Sequence, residues 1–356
     1  MRVFTCQACG QLLYFENVRC ERCGHPLGYL PDAMTISALE PASDRWMALA
    51  TKDREYRFCK NQEFGVCNWM VPAESDEVYC AACRYNHTIP DLTVPENVEL
   101  WRKLEAAKHR LIYTLLKLHL PLANRTDDPE HGLAFDFLSD TSASHGQRVM
   151  SGHGNGLITL ALKEAEDAIR EQIRTQLGEP YRTLLGHFRH ESGHYFWDVL
   201  IRDGEQVDSF RAVFGQEDQE YAAALQAHYS GGAPSDWQQR FVTAYASAHP
   251  WEDFAETWAH YLHIVDTLET ARSFGVKVQT GVDRPMEKEA AVDFNPHDAP
   301  SIEQLIEAWL PLCFAVNSMN RSMGQADLYP FVLAPITIGK LGYVHDLIQT
   351  NQLASK

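Results

Sequence analysis

The residues best suited to chemistry form the pattern His-Glu-x-x-His, at His190, Glu191 and His194. On a helix, residues four apart lie one above the other, so the two imidazoles can hold one zinc ion while the carboxylate faces a water molecule bound to it. Zinc polarises a carbonyl group and makes bound water acidic enough for a neighbouring carboxylate to take its proton. The pattern therefore predicts a zinc-dependent hydrolase, provided that the segment is helical.

Apolar residues around this pattern recur at steps of three and four, which is the spacing of one helix face. They are Leu184, Leu185, Phe188, Tyr195, Phe196, Val199 and Leu200. This periodicity predicts a long helix that carries both histidines.

A catalytic zinc ion needs a third protein ligand. One class of zinc peptidases supplies it by extending the pattern with His-x-x-Gly-x-x-His, but Trp197 and Leu200 occupy the required glycine and histidine positions here. The other common source is a glutamate on a following helix, and Glu252 and Glu256 share one helix face among apolar residues. We predict that Glu252 is the ligand and that Glu256 accepts the imidazole N–H of a ligand histidine. An acidic, solvated helix face is the alternative interpretation.

The nine cysteines form the second pattern of the chain. Two Cys-x-x-Cys pairs near the N-terminus, each followed by a glycine, are typical of a zinc ribbon, and a second group of four has a wider spacing. The first group is Cys6, Cys9, Cys20 and Cys23, and the second is Cys59, Cys67, Cys80 and Cys83. We expect two structural zinc sites, with Cys313 as a core thiol.

Disulfide bonds are the competing interpretation of these cysteines. However, the chain enters the first cysteine pair at Cys6, which leaves no room for a signal peptide. We therefore expect a cytoplasmic protein, and cysteines in such a compartment more often bind metal than form disulfides.

Two of these motifs together resemble a known group of enzymes. The pairing of His-Glu-x-x-His with Glu-Asp-Phe-Ala-Glu at residues 252–256 resembles the gluzincin metallopeptidases, especially their lethal-factor-like branch. In that branch a tyrosine seven residues before the ligand glutamate assists the chemistry. The resemblance implies that Tyr245 stabilises the oxyanion or protonates the leaving group, whereas a buried structural aromatic is the alternative. Asp253 departs from the aromatic residue of that branch.

The whole chain resembles bacterial zinc-dependent metallopeptidases that carry an N-terminal zinc ribbon. The segments that carry this resemblance run from the first cysteine to beyond residue 263, and they are Val66–Trp69, Cys80–Cys83, Thr88–Leu92, Gly186–Glu191 and Pro250–Glu256. The resemblance implies a zinc metallopeptidase.

These landmarks predict an α+β chain in three parts. We expect a zinc ribbon over residues 1–30, a second four-cysteine zinc module with its connector over residues 31–95, and a zincin-like metallopeptidase domain over residues 96–356. The last domain should be mainly helical, with a small sheet. Amphipathic helices are predicted at residues 95–120, 164–177 and 301–320.

Several features near the motifs have a functional and a structural interpretation. A strand predicted at residues 157–160 would offer its edge to an extended substrate. Four histidines and one acid either approach the zinc or have structural roles only, namely His153, His187, His260, His263 and Asp198.

Composition and charge limit the partners. The formal net charge is −17, and the first cysteine group offers only Arg2, Arg19 and Arg22 as cations, which argues against a nucleic-acid partner. No apolar run approaches the roughly 20 residues of a membrane span. The sequence therefore favours a peptidase with one catalytic and two structural zinc ions that acts on a peptide or protein. The alternative is a zinc-ribbon interaction or scaffold protein whose third zinc is structural.

Overall fold

The computed structural model describes residues 2–51, 54–140, 149–177, 182–279 and 290–354. The chain forms two compact units. The first comprises Met1–Tyr113 and Leu122–Gln172, and the second comprises Thr114–Pro121 and Ile173–Lys356. Both cysteine groups lie in the first unit, and the His-Glu-x-x-His segment lies in the second.

The first unit begins with strands. A hairpin of β1 (Phe4–Thr5) and β2 (Leu12–Leu13) belongs to the first cysteine group. An antiparallel sheet follows, in which each strand pairs with the next along the chain. Its members are β3 (Leu27–Leu30), β4 (Thr35–Ala42), β5 (Arg45–Ala48), β6 (Glu55–Phe58) and β7 (Met70–Pro72). The sheet buries a core formed by Leu30, Leu39, Ala48, Tyr56 and Met70.

The compact units cut across the three predicted parts of the chain, whose boundaries stay a prediction. Leu27–Leu30, at the end of the ribbon predicted over residues 1–30, pairs with Thr35–Ala42 inside the five-stranded sheet. The segment predicted as a connector supplies the strands that complete this sheet. Residues 96–172, predicted to belong to the peptidase domain, fall mostly in the same unit as the cysteines.

A second sheet completes the first unit, together with two helices. Its order is β10-β11-β9-β8, with β9 parallel to both β8 and β11. The elements in chain order are β8 (Asn86–Thr88), α1 (Pro95–Lys117), β9 (Ala134–Leu138), β10 (Gly152–Gly154), β11 (Leu157–Ala161) and α2 (Asp167–Leu177). The last four residues of α1 and the last five of α2 belong to the second unit.

The strand predicted to be an edge lies inside this sheet. Asn155 and Gly156 both have positive φ angles, 49° and 78°. An Asn-Gly pair in this conformation makes the tight turn of a two-residue hairpin. The turn folds β10 back onto β11, so β10 is the edge strand. Residues 157–160 do form the predicted strand, but the prediction that this strand is the edge was wrong.

The second unit is mainly helical. Its elements are α3 (Leu184–Phe196), α4 (Val207–Phe214), α5 (Tyr221–Gly231), α6 (Pro250–Ser273), β12 (Lys277–Val278), β13 (Ala290–Ala291), α7 (Ile302–Ser322) and α8 (Pro335–Ala354). Helix α6 is its centre, because it packs against α3, α7 and α8. A π-helical turn, Trp197–Arg202, continues α3. The predicted α+β class is confirmed, and so are helices at all the predicted places. None of the described helices is long and apolar enough to cross a membrane.

Asp253, the residue that departs from the resembling branch, is accommodated by an ion pair. Its side chain is buried on α6, and its Oδ2 lies 2.5 Å from Nζ of Lys340 on α8. The same ammonium group donates to the carbonyl oxygen of Arg240 at 2.8 Å. Burial raises the pKa of Asp253 to about 7, although Lys340 acts to lower it.

We expect Lys340→Met to destabilise the protein, because it leaves a buried carboxylate without its cation. The free energy of unfolding should fall by about 3–5 kcal/mol, measured by urea denaturation at pH 8. The double variant Asp253→Leu, Lys340→Met removes both charges and should lose much less. Equal stability of Lys340→Met and the natural chain would contradict this account.

Candidate metal centres

Helices α3 and α6 bring the predicted ligands together. Helix α3 begins after Thr183, whose hydroxyl accepts the backbone N–H of Gly186 at 3.0 Å. Farther along α3, Gly193 allows the close approach of α6, because a Cβ atom there would lie 2.8 Å from the Cα of Ala255. Any larger residue at position 193 would therefore push α3 and α6 apart.

His190, His194 and Glu252 form a compact set of three donors. Glu252 Oε2 lies 3.1 Å from His190 Nε2 and 3.5 Å from His194 Nε2. One donor atom from each residue falls within 4.8 Å of the other two. Two imidazoles and a carboxylate are a donor set that zinc accepts in hydrolases, with a fourth position left for water or substrate.

The environment of the Glu252 carboxylate is a second observation that favours a bound metal. The residue is 1% exposed, and its Oε2 has no hydrogen-bond partner among the described residues. A buried carboxylate oxygen without a partner is costly. Burial acts to raise the pKa of Glu252, but the two histidines hold it well below its usual range. An anionic oxygen that faces two imidazole nitrogens fits a bound cation.

Glu256 fixes the orientation of one histidine. Its Oε1 lies 2.6 Å from His190 Nδ1, and its Oε2 accepts a hydrogen bond from Thr243 Oγ1 at 2.7 Å. A histidine that donates from Nδ1 to a carboxylate keeps Nε2 unprotonated and available to a metal. The carboxylate of Glu256 thus lies on the side of the ring away from Glu252.

Glu191 lies buried beside the donor set and has a partner of its own. His187 Nε2 is 3.1 Å from Glu191 Oε1, one helical turn earlier on α3. Burial alone would raise the pKa of Glu191, but the contact with His187 and the nearby His190 and His194 lower it to about 2. The carboxylate is therefore ionised at neutral pH, as a general base must be.

Tyr245 lies close to His190. It begins a short 3-10 helix, Tyr245–Ala248, just before α6, and its ring centroid is 6.0 Å from that of His190. The tyrosine is half-buried, and burial together with Glu252 raises the pKa of its hydroxyl above the usual range. The hydroxyl consequently stays protonated and can donate a hydrogen bond.

Tyr221 is a part of the site that the sequence analysis missed. It begins α5, and its hydroxyl donates to Glu252 Oε1 at 2.5 Å. This contact occupies one carboxylate oxygen and leaves the other facing the two histidines. Trp251 also packs on His194, with ring centroids 3.9 Å apart. A tyrosine 31 residues before Glu252 has no periodic relation to it, so the sequence pattern gave no signal for this contact.

A buried ion pair next to His190 joins α3 to α6. Arg189, adjacent to His190, is hydrogen-bonded to Asp266 and to His263. Asp266 also accepts from Thr114 Oγ1, at 2.9 and 2.8 Å. Arg189 therefore helps to hold the histidine-bearing helix against the glutamate-bearing one.

The other singled-out polar residues contact groups away from the donor set. His260 Nδ1 is 2.6 Å from Tyr329 Oη, and burial lowers the pKa of this histidine to about 4. Asp198 pairs with Arg202 at 2.7 Å. His153 lies in the first unit, where its Nε2 accepts the backbone N–H of Gly156 at 3.1 Å. His187, by contrast, contacts Glu191 of the predicted catalytic pattern.

Both cysteine groups are assembled in the first unit. In each group the four sulfurs lie within 4.8 Å of one another. In the first, Cys6 and Cys23 are 3.6 Å apart, as are Cys9 and Cys20. Positive φ angles of 74° and 77° at Gly10 and Gly24 permit the knuckle turns. Cys313 is buried in α7, in the other unit.

We expect Tyr221→Phe to weaken zinc binding at the set of His190, His194 and Glu252, because Glu252 Oε1 loses its donor. Partners of metal ligands typically change metal affinity by about 10- to 100-fold. Competition with a chromophoric chelator measures this affinity. Tyr229→Phe, an exposed tyrosine on the same helix, is the matched control. Unchanged affinity in Tyr221→Phe would show that the hydroxyl does not orient the carboxylate.

This chain belongs to a family of zinc-binding metallopeptidases. The sequence profile described as "Putative zinc-binding metallo-peptidase" matches residues 97–347, and a profile described as a zinc-ribbon domain matches residues 3–94. The resemblance inferred from the motifs, a metallopeptidase with an N-terminal zinc ribbon, is thereby confirmed.

Close relatives occur in mycobacteria. An uncharacterized protein of Mycobacterium bovis and uncharacterized proteins of two Mycobacterium tuberculosis strains are each 41% identical to this chain over 350 residues, which cover 98% of this chain and 95% of each relative. No solved structure matches the chain significantly.

Proposed function

We propose that this protein is a gluzincin-type zinc peptidase that hydrolyses peptide bonds. The observation that carries the proposal is the three-donor set His190, His194 and Glu252, with the ionised carboxylate of Glu191 beside it. A structural zinc site is closed by four protein ligands, whereas a catalytic site keeps one position open. Three donors with an adjacent base therefore favour an enzyme over a scaffold whose third zinc is structural.

In the proposed hydrolysis the metal donors, Glu191 and Tyr245 have separate roles. A zinc ion held by His190, His194 and Glu252 would polarise the substrate carbonyl and acidify a water molecule. Glu191 takes the proton of the attacking water and passes it to the leaving amine. Tyr245 donates its hydroxyl hydrogen to the carbonyl oxygen as negative charge develops there.

The cysteine groups complete the proposed metal content, with one catalytic and two structural zinc ions. Metal analysis of the purified protein should find three zinc ions, of which a mild chelator removes one together with the activity. The cysteine-bound ions should resist, because four thiolates enclose each of them. Disulfides within either cysteine group would contradict this assignment. Sites that need thiolates also favour a reducing compartment such as the cytoplasm.

The proposed partner is a peptide or protein, not a nucleic acid. In the first cysteine group, Arg19 donates to the carbonyl oxygen of Gly24 at 2.9 Å, and Arg22 donates to that of Cys9 at 3.2 Å. These guanidinium groups support the knuckle turns. Because these arginines are engaged and the net charge is −17, the protein offers little positive charge to bind the phosphates of a nucleic acid.

The decisive experiment compares newly formed peptide ends in a cell extract. The extract is incubated with the zinc-loaded protein, with the chelated protein, and with the chelated protein after zinc is restored. We expect a recurring set of cleaved ends that disappears on chelation and returns with zinc. Identical ends in all three samples would refute peptidase activity on the proteins of that extract.

A further inference from the structure

The second cysteine group has a fifth potential ligand beside it. His109, on the part of α1 that lies in the same unit, is buried. Its Nε2 lies 3.4 Å from the sulfur of Cys67 and 3.7 Å from that of Cys83. For comparison, the sulfurs of Cys67 and Cys80 are 3.7 Å apart. The imidazole nitrogen is thus as close to the sulfurs of Cys67 and Cys83 as the sulfur of Cys67 is to that of Cys80.

These separations are those of ligands that share one zinc ion. With bonds of about 2.3 Å to sulfur and about 2.0 Å to nitrogen, the corners of a tetrahedral site are roughly 3.5–3.8 Å apart. His109 Nε2 therefore stands at a ligand's distance from two members of the group.

The ring of His109 is also oriented as a ligand would be. Its Nδ1 lies 2.6 Å from the carbonyl oxygen of Glu105, to which it donates. This hydrogen bond fixes the tautomer of the neutral ring in which Nε2 has a free lone pair, the arrangement common to metal-bound histidines. The indole of Trp69 packs on the ring at a centroid distance of 5.2 Å and holds it in place.

The surroundings of the sulfurs indicate which thiolate the imidazole can replace. Backbone N–H groups donate to the sulfurs of Cys59 at 3.4 Å, Cys67 at 3.3 Å and Cys80 at 3.4 Å. The sulfur of Cys83 faces side chains of α1, with Glu105 Oε2 3.9 Å away. Cys83 is therefore a cysteine whose sulfur lies beside α1, the helix that carries His109.

We propose that His109 is an interchangeable ligand of the second zinc centre, which has five donors for four positions. In the intact protein the four thiolates hold the ion, and the imidazole takes the position of Cys83 when that thiolate is lost. A centre of this kind keeps its zinc, and keeps α1 attached to the cysteine module, after one thiol has been modified.

The test measures zinc per chain in full-length variants after dialysis against a weak chelator. Cys83→Ala should retain as much zinc as the natural chain, and His109→Ala should also retain it. The double variant Cys83→Ala, His109→Ala should lose one zinc ion. Cys83→Ala, His131→Ala is the matched control, because His131 is an exposed histidine of the same unit, and it should retain all the zinc.

Cobalt substitution gives a second readout that also serves if the double variant does not fold. The thiolate-to-cobalt absorption of Cys83→Ala should weaken relative to the natural chain, since three thiolates remain, while the visible bands of a tetrahedral site persist. Zinc loss in Cys83→Ala alone, or full zinc retention in the double variant, would overturn the proposal. Zinc loss in His109→Ala alone would also overturn it, because the imidazole would then be a permanent ligand. None of these outcomes depends on peptidase activity.

Discussion

Glu191→Gln should abolish peptide hydrolysis while the protein keeps its fold and its zinc. The amide has nearly the same shape as the carboxylate but cannot accept a proton from water, and loss of a general base typically costs about 10²- to 10⁴-fold in rate. Glu191 is not among the three grouped donors, so the third zinc should remain. The measurement is kcat for a peptide identified from the cleaved ends, beside metal content for the same preparation.

Glu307→Gln is the matched control for this variant, since Glu307 is an exposed acid on α7 in the same unit. It should keep full activity. Undiminished hydrolysis in Glu191→Gln would remove this residue from the mechanism. Loss of zinc together with activity would mean that Glu191 supports the metal and would leave the identity of the base open to another group.

Glu252→Ala should empty the third zinc site and leave the cysteine-bound ions in place. Glu252 Oε2 is the only oxygen of the grouped donors, and it faces the Nε2 atoms of both histidines. Two imidazoles alone bind zinc far more weakly than a complete set of three. Metal analysis should therefore find one zinc ion fewer per chain, with activity absent and the circular dichroism spectrum preserved.

The variant Glu256→Ala tests whether Glu256 is itself a zinc ligand or only orients His190. Glu256 contacts the Nδ1 of His190, on the side of the ring away from Glu252, so its loss should weaken zinc binding by about 10- to 100-fold without emptying the site at saturating zinc. The reverse pattern, with zinc lost in Glu256→Ala and kept in Glu252→Ala, would exchange the two assignments. Glu307→Ala controls for the loss of an exposed acid.

The second unit also shows why the pattern Glu-Asp-Phe-Ala-Glu tolerates an acid where the resembling branch has an aromatic residue. A buried carboxylate survives there because α8 supplies the ammonium group of Lys340. The two residues are 87 positions apart. An aspartate at position 253 or a lysine at position 340 is not unusual in the sequence alone. The ion pair between them is recognised only from the packing of α8 on α6.

The sequence by itself determined the residues whose chemistry is local. His190 and His194 are one helical turn apart, so spacing alone predicts their shared face. Likewise, each Cys-x-x-Cys pair forms its own turn, and the apolar periodicity predicts the helices that carry the motifs. Such patterns depend on the fixed rise and repeat of a helix or a tight turn, which are the same in every protein.

Only the tertiary structure decided which distant groups complete these motifs. Tyr221 reaches Glu252, Arg189 pairs with Asp266, and His109 meets the second cysteine group, each across a sequence separation that no helical or strand period relates. The order of the strands in the second sheet could not be predicted from the sequence for a similar reason. The turn at Asn155–Gly156 pairs β10 with β11, which makes β10 rather than β11 the edge strand. Contacts between elements follow from packing and burial, which a local pattern does not encode.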